Sequence, residues 1–331
     1  MYWFGKVAKF QMKYKIKRIS GDASFREFYR LKKGNKTSII VKAKKEKFKN
    51  LIKYIVINDI LKKNKILSPK LISEQLKKNF IEIDDLGERS FLEIIGKKKN
   101  KFNDYKKLIY IILKLQDIKL RKKYNFRKYK IKLESYTISN LHRESDLFFD
   151  WYLKYYIKKP KIRKLKKILK KELNNVYKKL YFKNNVFVHR DFHVSNIMVN
   201  KKKIGLIDSQ DAIIGNPLYD LASLIDDVRI ELPSNLQKKL FNYYYKNSKF
   251  KKDKYKNLKN DFDILSVQRN LKILGIFVRL FKRDNKANYL KYLPYTWTLI
   301  ERRLKNPIFK NFNKLLKKLI NLKNLKRTNN L

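Results

Sequence analysis

The segment FVHRDFHVSNIMVNKKKIGLIDSQD, residues 187–211, constrains this chain more than any other part of it. Two short apolar runs, NIMVN and IGLID, flank a lysine-rich turn and read as a β-hairpin; NVFVH before them reads as another short strand. Polar residues gather where these strands end. Asp191 sits in the loop after NVFVH, Asn196 opens NIMVN, and Asp208 closes IGLID. A carboxylate at the end of an apolar strand is best explained by a cation beside it. Asn196 and Asp208 are both oxygen donors, as Mg²⁺ requires. Asp191 has the chemistry to orient a hydroxyl and accept its proton. Plainer readings stand next to these: Asp191 as a solvated loop acid, Asn196 as a turn cap. His193 reads as a loop-internal hydrogen-bonding residue in preference to a substrate or metal contact.

An Asp, an Asn five residues on and a second Asp twelve further on match the catalytic-loop and metal-ligand pattern of kinase-fold phosphotransferases. Phosphoryl transfer asks for positioning and charge neutralisation more than covalent chemistry. The residues after Asp208 narrow the acceptor. Ser209 stands where protein kinases carry Phe, and Gly215-Asn216-Pro217-Leu218-Tyr219-Asp220 comes almost at once. There is no room for a long activation segment ending in Ala-Pro-Glu, so a small-molecule acceptor is favoured over a peptide. Asp220 reads as an N-cap of the helix after it, holding the catalytic loop from below.

Upstream, residues 14–43 read as three strands, 46–63 as a helix, and LISEQ and FIEIDD as two more strands. That outlines a small five-stranded nucleotide-binding lobe over residues 12–84, with the chain from 85 to 325 as a mainly helical lobe. The expected fold is thus α+β, a two-lobed protein-kinase-like domain. Residues 90–183 are expected to be mainly helical, with further helices over 218–230, 235–248, 261–282 and about 294–320. In the small lobe, the turn from Gly21 to Ser24 reads equally as a phosphate-covering loop, with Ser24 or Arg26 assisting, and as a plain hairpin turn. Lys42 ends the third strand, where a kinase places its phosphate lysine, but an ordinary solvated lysine fits as well. Glu46 opens the next helix, a doubtful partner for Lys42. The backbone at Glu82–Asp84 is the expected adenine contact.

Formal net charge is +55, from 84 Lys and Arg against 29 Asp and Glu. One reading is a non-catalytic RNA- or membrane-associated protein. The lysines are spread along the whole chain, however, and Lys, Asn, Ile, Tyr and Phe are abundant while Gly and Pro are scarce. Compositional drift therefore fits better than a selected polyanion site. Cysteine is absent, which excludes disulfides and thiolate chemistry and fits a reducing compartment. No apolar run approaches the about 18 residues of a membrane span, and the N-terminus makes a poor signal peptide. Cytoplasmic is the default, a monomer is favoured, and either Met1 or Met12 serves as start.

The block VHRDFHVSNIM…IGLIDSQDAIIGNPLYDLASL resembles the aminoglycoside phosphotransferase and choline kinase superfamily. Three further segments, ISGDASFREFYRL, LHRESDLFFDWYL and QRNLKILGIFVRLFKRDNKANYLKYLPYTWTLIERRL, are similar to its branch of bacterial N-acetylmuramate/N-acetylglucosamine anomeric sugar kinases of cell-wall recycling. The resemblance runs from about residue 16 to 305. It implies ATP and Mg²⁺ as cofactors, a sugar acceptor phosphorylated at its C1 hydroxyl, Asp191 as base, and Asn196 and Asp208 as Mg²⁺ ligands. That branch often lacks a lysine at the Lys42 position. Arg143, Glu144, Asp146, Arg269 and Arg279 are possible sugar contacts, with surface or helix-pairing roles equally open. Another small hydroxylated amine, an aminoglycoside or choline, is the alternative acceptor. The excess of basic residues suits a neutral or anionic acceptor better.

Overall fold

A computed structural model describes residues 14–19, 26–44, 48–156, 159–200 and 203–319. The chain forms two compact units. The first holds the chain up to Arg89 together with Lys123–Ile131 and Met198–Asp211; the second holds Ser90–Lys122, Lys132–Ile197 and everything from Ala212 onward.

In the first unit, β1 (Tyr14–Ile19), β2 (Glu27–Lys33), β3 (Lys36–Lys42), β4 (Leu71–Gln75) and β5 (Phe80–Asp84) form a five-stranded antiparallel sheet. Its order is β1-β2-β3-β5-β4. Helix α1 (Lys49–Lys63) covers one face. Side chains alternate along a strand, so each residue's face is set by its neighbours. Ile39, Val41, Ile81 and Ile83 pack with Leu51, Tyr54 and Ile55 of α1. Ser38 and Glu82 lie on the other face, where Ser38 Oγ donates to Glu82 Oε1 at 2.6 Å.

The same unit contains a hairpin of β6 (Tyr124–Phe126) and β7 (Tyr129–Ile131). Sequence periodicity predicts mainly helix over 90–183, and here the chain is instead extended. Its turn has no glycine; Arg127 adopts φ 49° in its place, so the usual turn signal is missing. Phe126 packs onto the α1 core, and Tyr129 meets Phe48 edge-on with centroids 6.2 Å apart. Strands β9 (Ile197–Asn200) and β10 (Lys203–Leu206) form the expected hairpin, and Leu206 N–H donates to Leu67 O at 2.9 Å.

The second unit is mainly helical. Helix α2 (Phe91–Gly96) starts with a reciprocal Ser90–Glu93 cap, and α4 (Ile138–Leu147) with Thr137–Asn140. Helix α3 (Phe102–Gln116) lies between them in sequence. A π-helical turn over Phe148–Leu153 leads through the short α5 (Lys154–Tyr156) to α6 (Lys159–Tyr177). Strand β8 (Val186–Val188) pairs antiparallel with β11 (Ile213–Gly215). Then come α7 (Tyr219–Ile225), α8 (Ser234–Asn247), α9 (Tyr255–Asp284), α10 (Leu293–Leu304) and α11 (Lys310–Leu319). Helix α9 is the spine of this unit, with buried residues from Leu258 to Leu280. No helix among the described residues is long and apolar enough to cross a membrane.

Gly275 lets α9 touch the end of α4. A Cβ there would lie 2.2 Å from the Leu147 carbonyl oxygen, and a backbone atom has no rotamer through which to yield. Helix propensity alone would make Gly275→Ala stabilising by about 1 kcal/mol. Overpacking against backbone reverses that sign, and a net loss of about 1–3 kcal/mol is expected by urea unfolding. A stabilised variant would show that the two helices part freely.

Candidate active site

The loop after β8 is built by backbone bonds to buried acids. Asp220 Oδ2 accepts the His189 N–H at 2.7 Å and its Oδ1 the Arg190 N–H at 2.9 Å. Asp220 therefore does hold the loop from below, but from inside the first turn of α7 and not as its cap, which is Leu218. Burial raises its carboxyl to about 7, against the pull of the two N–H donors. Asp227, seven residues on and also buried, accepts the Val194 N–H at 3.0 Å. The motif spacing does not single out Asp227. Its one signal in the sequence is the Asp226-Asp227 pair that follows the apolar end of α7.

Within this loop His193 N–H donates to Asp191 O at 3.0 Å, and Asn196 N–H donates to His193 O at 2.9 Å. The Asn196 side chain turns its nitrogen inward, donating to Asp191 O at 3.1 Å and meeting His193 Nε2 at 3.2 Å. Its carboxamide oxygen is thereby the atom left for a cation. His193 is buried and held in the neutral form, its pKa pushed well down by burial and by Arg229, Arg269, His189 and Lys272. Neutral imidazole accepts the Asn196 N–H, so the loop-internal role is the one the geometry shows.

Arg190, just before Asp191, sits at φ 76°, a left-handed conformation that costs a bulky residue about 1–3 kcal/mol. Its guanidinium is anchored on Glu144. Oε1 of Glu144 accepts from Arg190 Nε at 3.2 Å and lies 3.1 Å from Lys272 Nζ. Oε2 accepts from Tyr136 OH, from Tyr219 OH at 3.3 Å and from Gln268 Nε2 at 3.2 Å. Burial opposes ionisation of Glu144, yet Lys272 and Arg190 hold its carboxyl well below the usual range. Lys272 is partly buried, its side chain 15% exposed. Glu144, Tyr219 and Asp191 outweigh the cost of its burial and raise its pKa.

Arg269 is buried, and its Nη1 has no hydrogen-bond partner among the described residues. Arg143 is exposed, and Asp146 pairs with Lys170 at 2.7 Å. Arg279 is partly buried, and that burial lowers its pKa.

In the first unit, Asp208 comes just after β10 at φ 62°, and Arg26 Nη2 donates to its Oδ1 at 2.6 Å. Ser209 Oγ donates to Asn58 Oδ1 of α1 at 2.7 Å, so the hydroxyl that replaces Phe fastens this loop to the helix. Burial lifts the Tyr54 hydroxyl to about 12, with the Asp208 carboxylate adding to the shift. Lys42 is exposed on the sheet face away from α1, opposite Glu27 and Phe80. Glu82 faces the same way, tied to Ser38 and Ser73. Asp84 Oδ2 accepts from Lys70 N–H at 3.3 Å. The backbone just after β5 is fixed by Arg30, whose Nε donates to Asp85 Oδ2 at 2.6 Å. Ser24, its turn from Gly21, and Glu46 lie outside the described residues.

The model of the phosphotransferase enzyme family matches residues 15–256. The chain is 26% identical over 292 residues to the N-acetylmuramate/N-acetylglucosamine kinase of Pseudomonas aeruginosa, covering 86% of this chain and 83% of that one. Its fold is similar to a choline/ethanolamine kinase family protein from Mesorhizobium loti, with TM-score 0.60, 11% identity and 95% coverage of both chains. It is also similar to spectinomycin phosphotransferase, with TM-score 0.55, 13% identity, and coverage of 96% of this chain and 93% of the other. The α+β, kinase-like fold expected from sequence is the one observed.

Proposed function

This chain belongs to the phosphotransferase enzyme family, and we propose that it transfers the γ-phosphoryl group of ATP to the anomeric hydroxyl of an amino sugar. It is a small-molecule kinase. The observation that carries the sugar reading is the similarity to a named N-acetylmuramate/N-acetylglucosamine kinase, which runs through most of both chains. Lys272 and Arg269 sit one turn apart on α9, with Lys272 paired to Glu144 at 3.1 Å and Arg229 paired to Asp227 at 3.2 Å.

In this reading the Asp191 carboxylate orients the acceptor hydroxyl and takes its proton late in a largely dissociative transfer. Asn196 Oδ1 and Asp208 are the proposed Mg²⁺ ligands. Two oxygen donors suit a cation that keeps water and phosphate oxygens in its shell, and the inward-turned Asn196 nitrogen leaves the correct atom for it. When bound, Mg²⁺ neutralises charge on the β- and γ-phosphates. The main chain at Glu82–Asp84 is the proposed adenine contact.

An ATP-consumption assay with N-acetylmuramate, N-acetylglucosamine, kanamycin and choline tests this. Turnover is expected with the two sugars, and their products should lose reducing-end reactivity because C1 carries the phosphate. Turnover with choline or kanamycin alone would remove the sugar assignment. A product that keeps its reducing end would remove the anomeric one.

A further inference from the structure

In kinase-like folds a lysine on the third strand contacts the nucleotide phosphates and is held by a glutamate on the next helix. Among the described residues, neither part of that pair is present on the face of the sheet that α1 covers. Strand β3 and its end contribute Ile39, Val41 and Ala43 to that face, while Lys42 is on the other. Among the residues of α1 the one acid is Asp59, which is exposed and paired with Lys63 at 2.6 Å. The α1 residues beside Asp208 and Ser209 are Tyr54 and Asn58.

A cation is nevertheless fixed on this face. Arg26, at the entry to β2, has a side chain only 4% exposed. Its guanidinium carbon lies 5.6 Å from the Phe28 ring centre and 5.8 Å from that of Tyr54. Its Nη2 donates to Asp208 Oδ1 and its Nη1 to Gln210 Oε1. The planar guanidinium presents donors in a rigid fork, so it is able to hold a carboxylate and a phosphate oxygen from adjacent nitrogens.

We propose that Arg26 is the phosphate-contacting cation of this kinase, taking the place of the strand lysine, and that its bond to Asp208 keeps that carboxylate neutralised and in position until the metal-bound nucleotide arrives. The inference rests on the ATP and Mg²⁺ part of the proposed function and not on the identity of the acceptor. It accounts for the absence of glutamate from Lys49–Lys63, because Arg26 is already oriented by two aromatic rings, Asp208 and Gln210. It also gives Lys42 no part in phosphate binding.

The test is titration of full-length protein with ATP in excess Mg²⁺ and without any acceptor, by calorimetry, for wild type, Arg26→Met, Arg26→Lys and Lys42→Met. Arg26→Met is expected to weaken binding at least tenfold. Arg26→Lys keeps the charge but loses the fork, and is expected to weaken it about threefold. Lys42→Met is expected to stay within twofold of wild type. In turnover, the Arg26 variants should raise KM for ATP and leave KM for the acceptor unchanged, a split that a general loss of structure would not produce. If Arg26→Met does not fold, the Arg26→Lys and Lys42→Met arms still decide. Wild-type affinity in Arg26→Lys, or loss of binding in Lys42→Met, overturns the assignment. A wild-type protein that binds no ATP with Mg²⁺ overturns the kinase reading itself, whereas ATP binding without sugar turnover overturns only the acceptor.

Discussion

Replacing Asp191 with Asn is expected to lower kcat by about 10²–10⁴, the usual span for a lost general base, while leaving the protein folded and able to bind ATP. The reason is in how the loop is held. What the loop takes from Asp191 is its main-chain oxygen, which accepts from His193 N–H and the Asn196 side chain. Its other supports are the Asp220 and Asp227 carboxylates on backbone N–H groups and the Arg190–Glu144 pair. Asn is isosteric with Asp, so these bonds survive. The proton-accepting carboxylate is removed, and with it one negative charge near Lys272 and Arg190. Melting temperature should therefore be close to wild type, and KM for ATP within about threefold, as for a change in a transition-state interaction alone. Asp191→Ala should be at least as slow, because it also loses the group that orients the hydroxyl. A kcat for Asp191→Asn within tenfold of wild type would take the base role from Asp191 and leave it a loop acid.

Local pattern carried much of this molecule. Alternation between turns placed all five strands of the sheet, and the Asp191, Asn196 and Asp208 spacing drew attention to the loops after β8 and β10 from sequence alone. What escaped depends on distance along the chain or on an unusual backbone. The pairing of β8 with β11 joins Val188 to Ile213, and nothing in either short strand names its partner. The 124–131 hairpin turns on an arginine in a left-handed conformation, where a glycine would have announced it. Face assignment needed the fold as well: Arg26 and Lys42 are both basic residues at strand ends, and only the position of α1 separates them. Glu144 reads as a possible sugar contact because polar residues on an amphipathic helix look alike in sequence. Its burial beneath Arg190 and Lys272 required α4 and α9 to meet.

Glu144→Ala is expected to cost about 3–5 kcal/mol of stability, the range for removing one partner of a buried ionic group. The residue is 5% exposed, and its two oxygens serve Arg190, Lys272, Tyr136, Tyr219 and Gln268. Truncation leaves Lys272, which is partly buried, as a charge whose nearest counter-ion is gone. It also frees Arg190, whose φ of 76° is held against its own preference beside Asp191. Two consequences should separate. Stability, read by urea unfolding, should return in large part when Lys272→Met is added to Glu144→Ala, since the uncompensated charge is then removed together with its partner. Activity should not return with it, because the Arg190 anchor is still weakened and the loop carrying Asp191 is less well fixed. A loss below about 1 kcal/mol for Glu144→Ala would mean that water reaches this cluster and screens it, as at an exposed ion pair. Full recovery of kcat in the double variant would mean that the Glu144–Arg190 bond plays no part in setting the loop. The expected pattern, stability rescued and kcat not, assigns Glu144 two separable tasks: compensating the partly buried Lys272, and fixing the residue that precedes the proposed base.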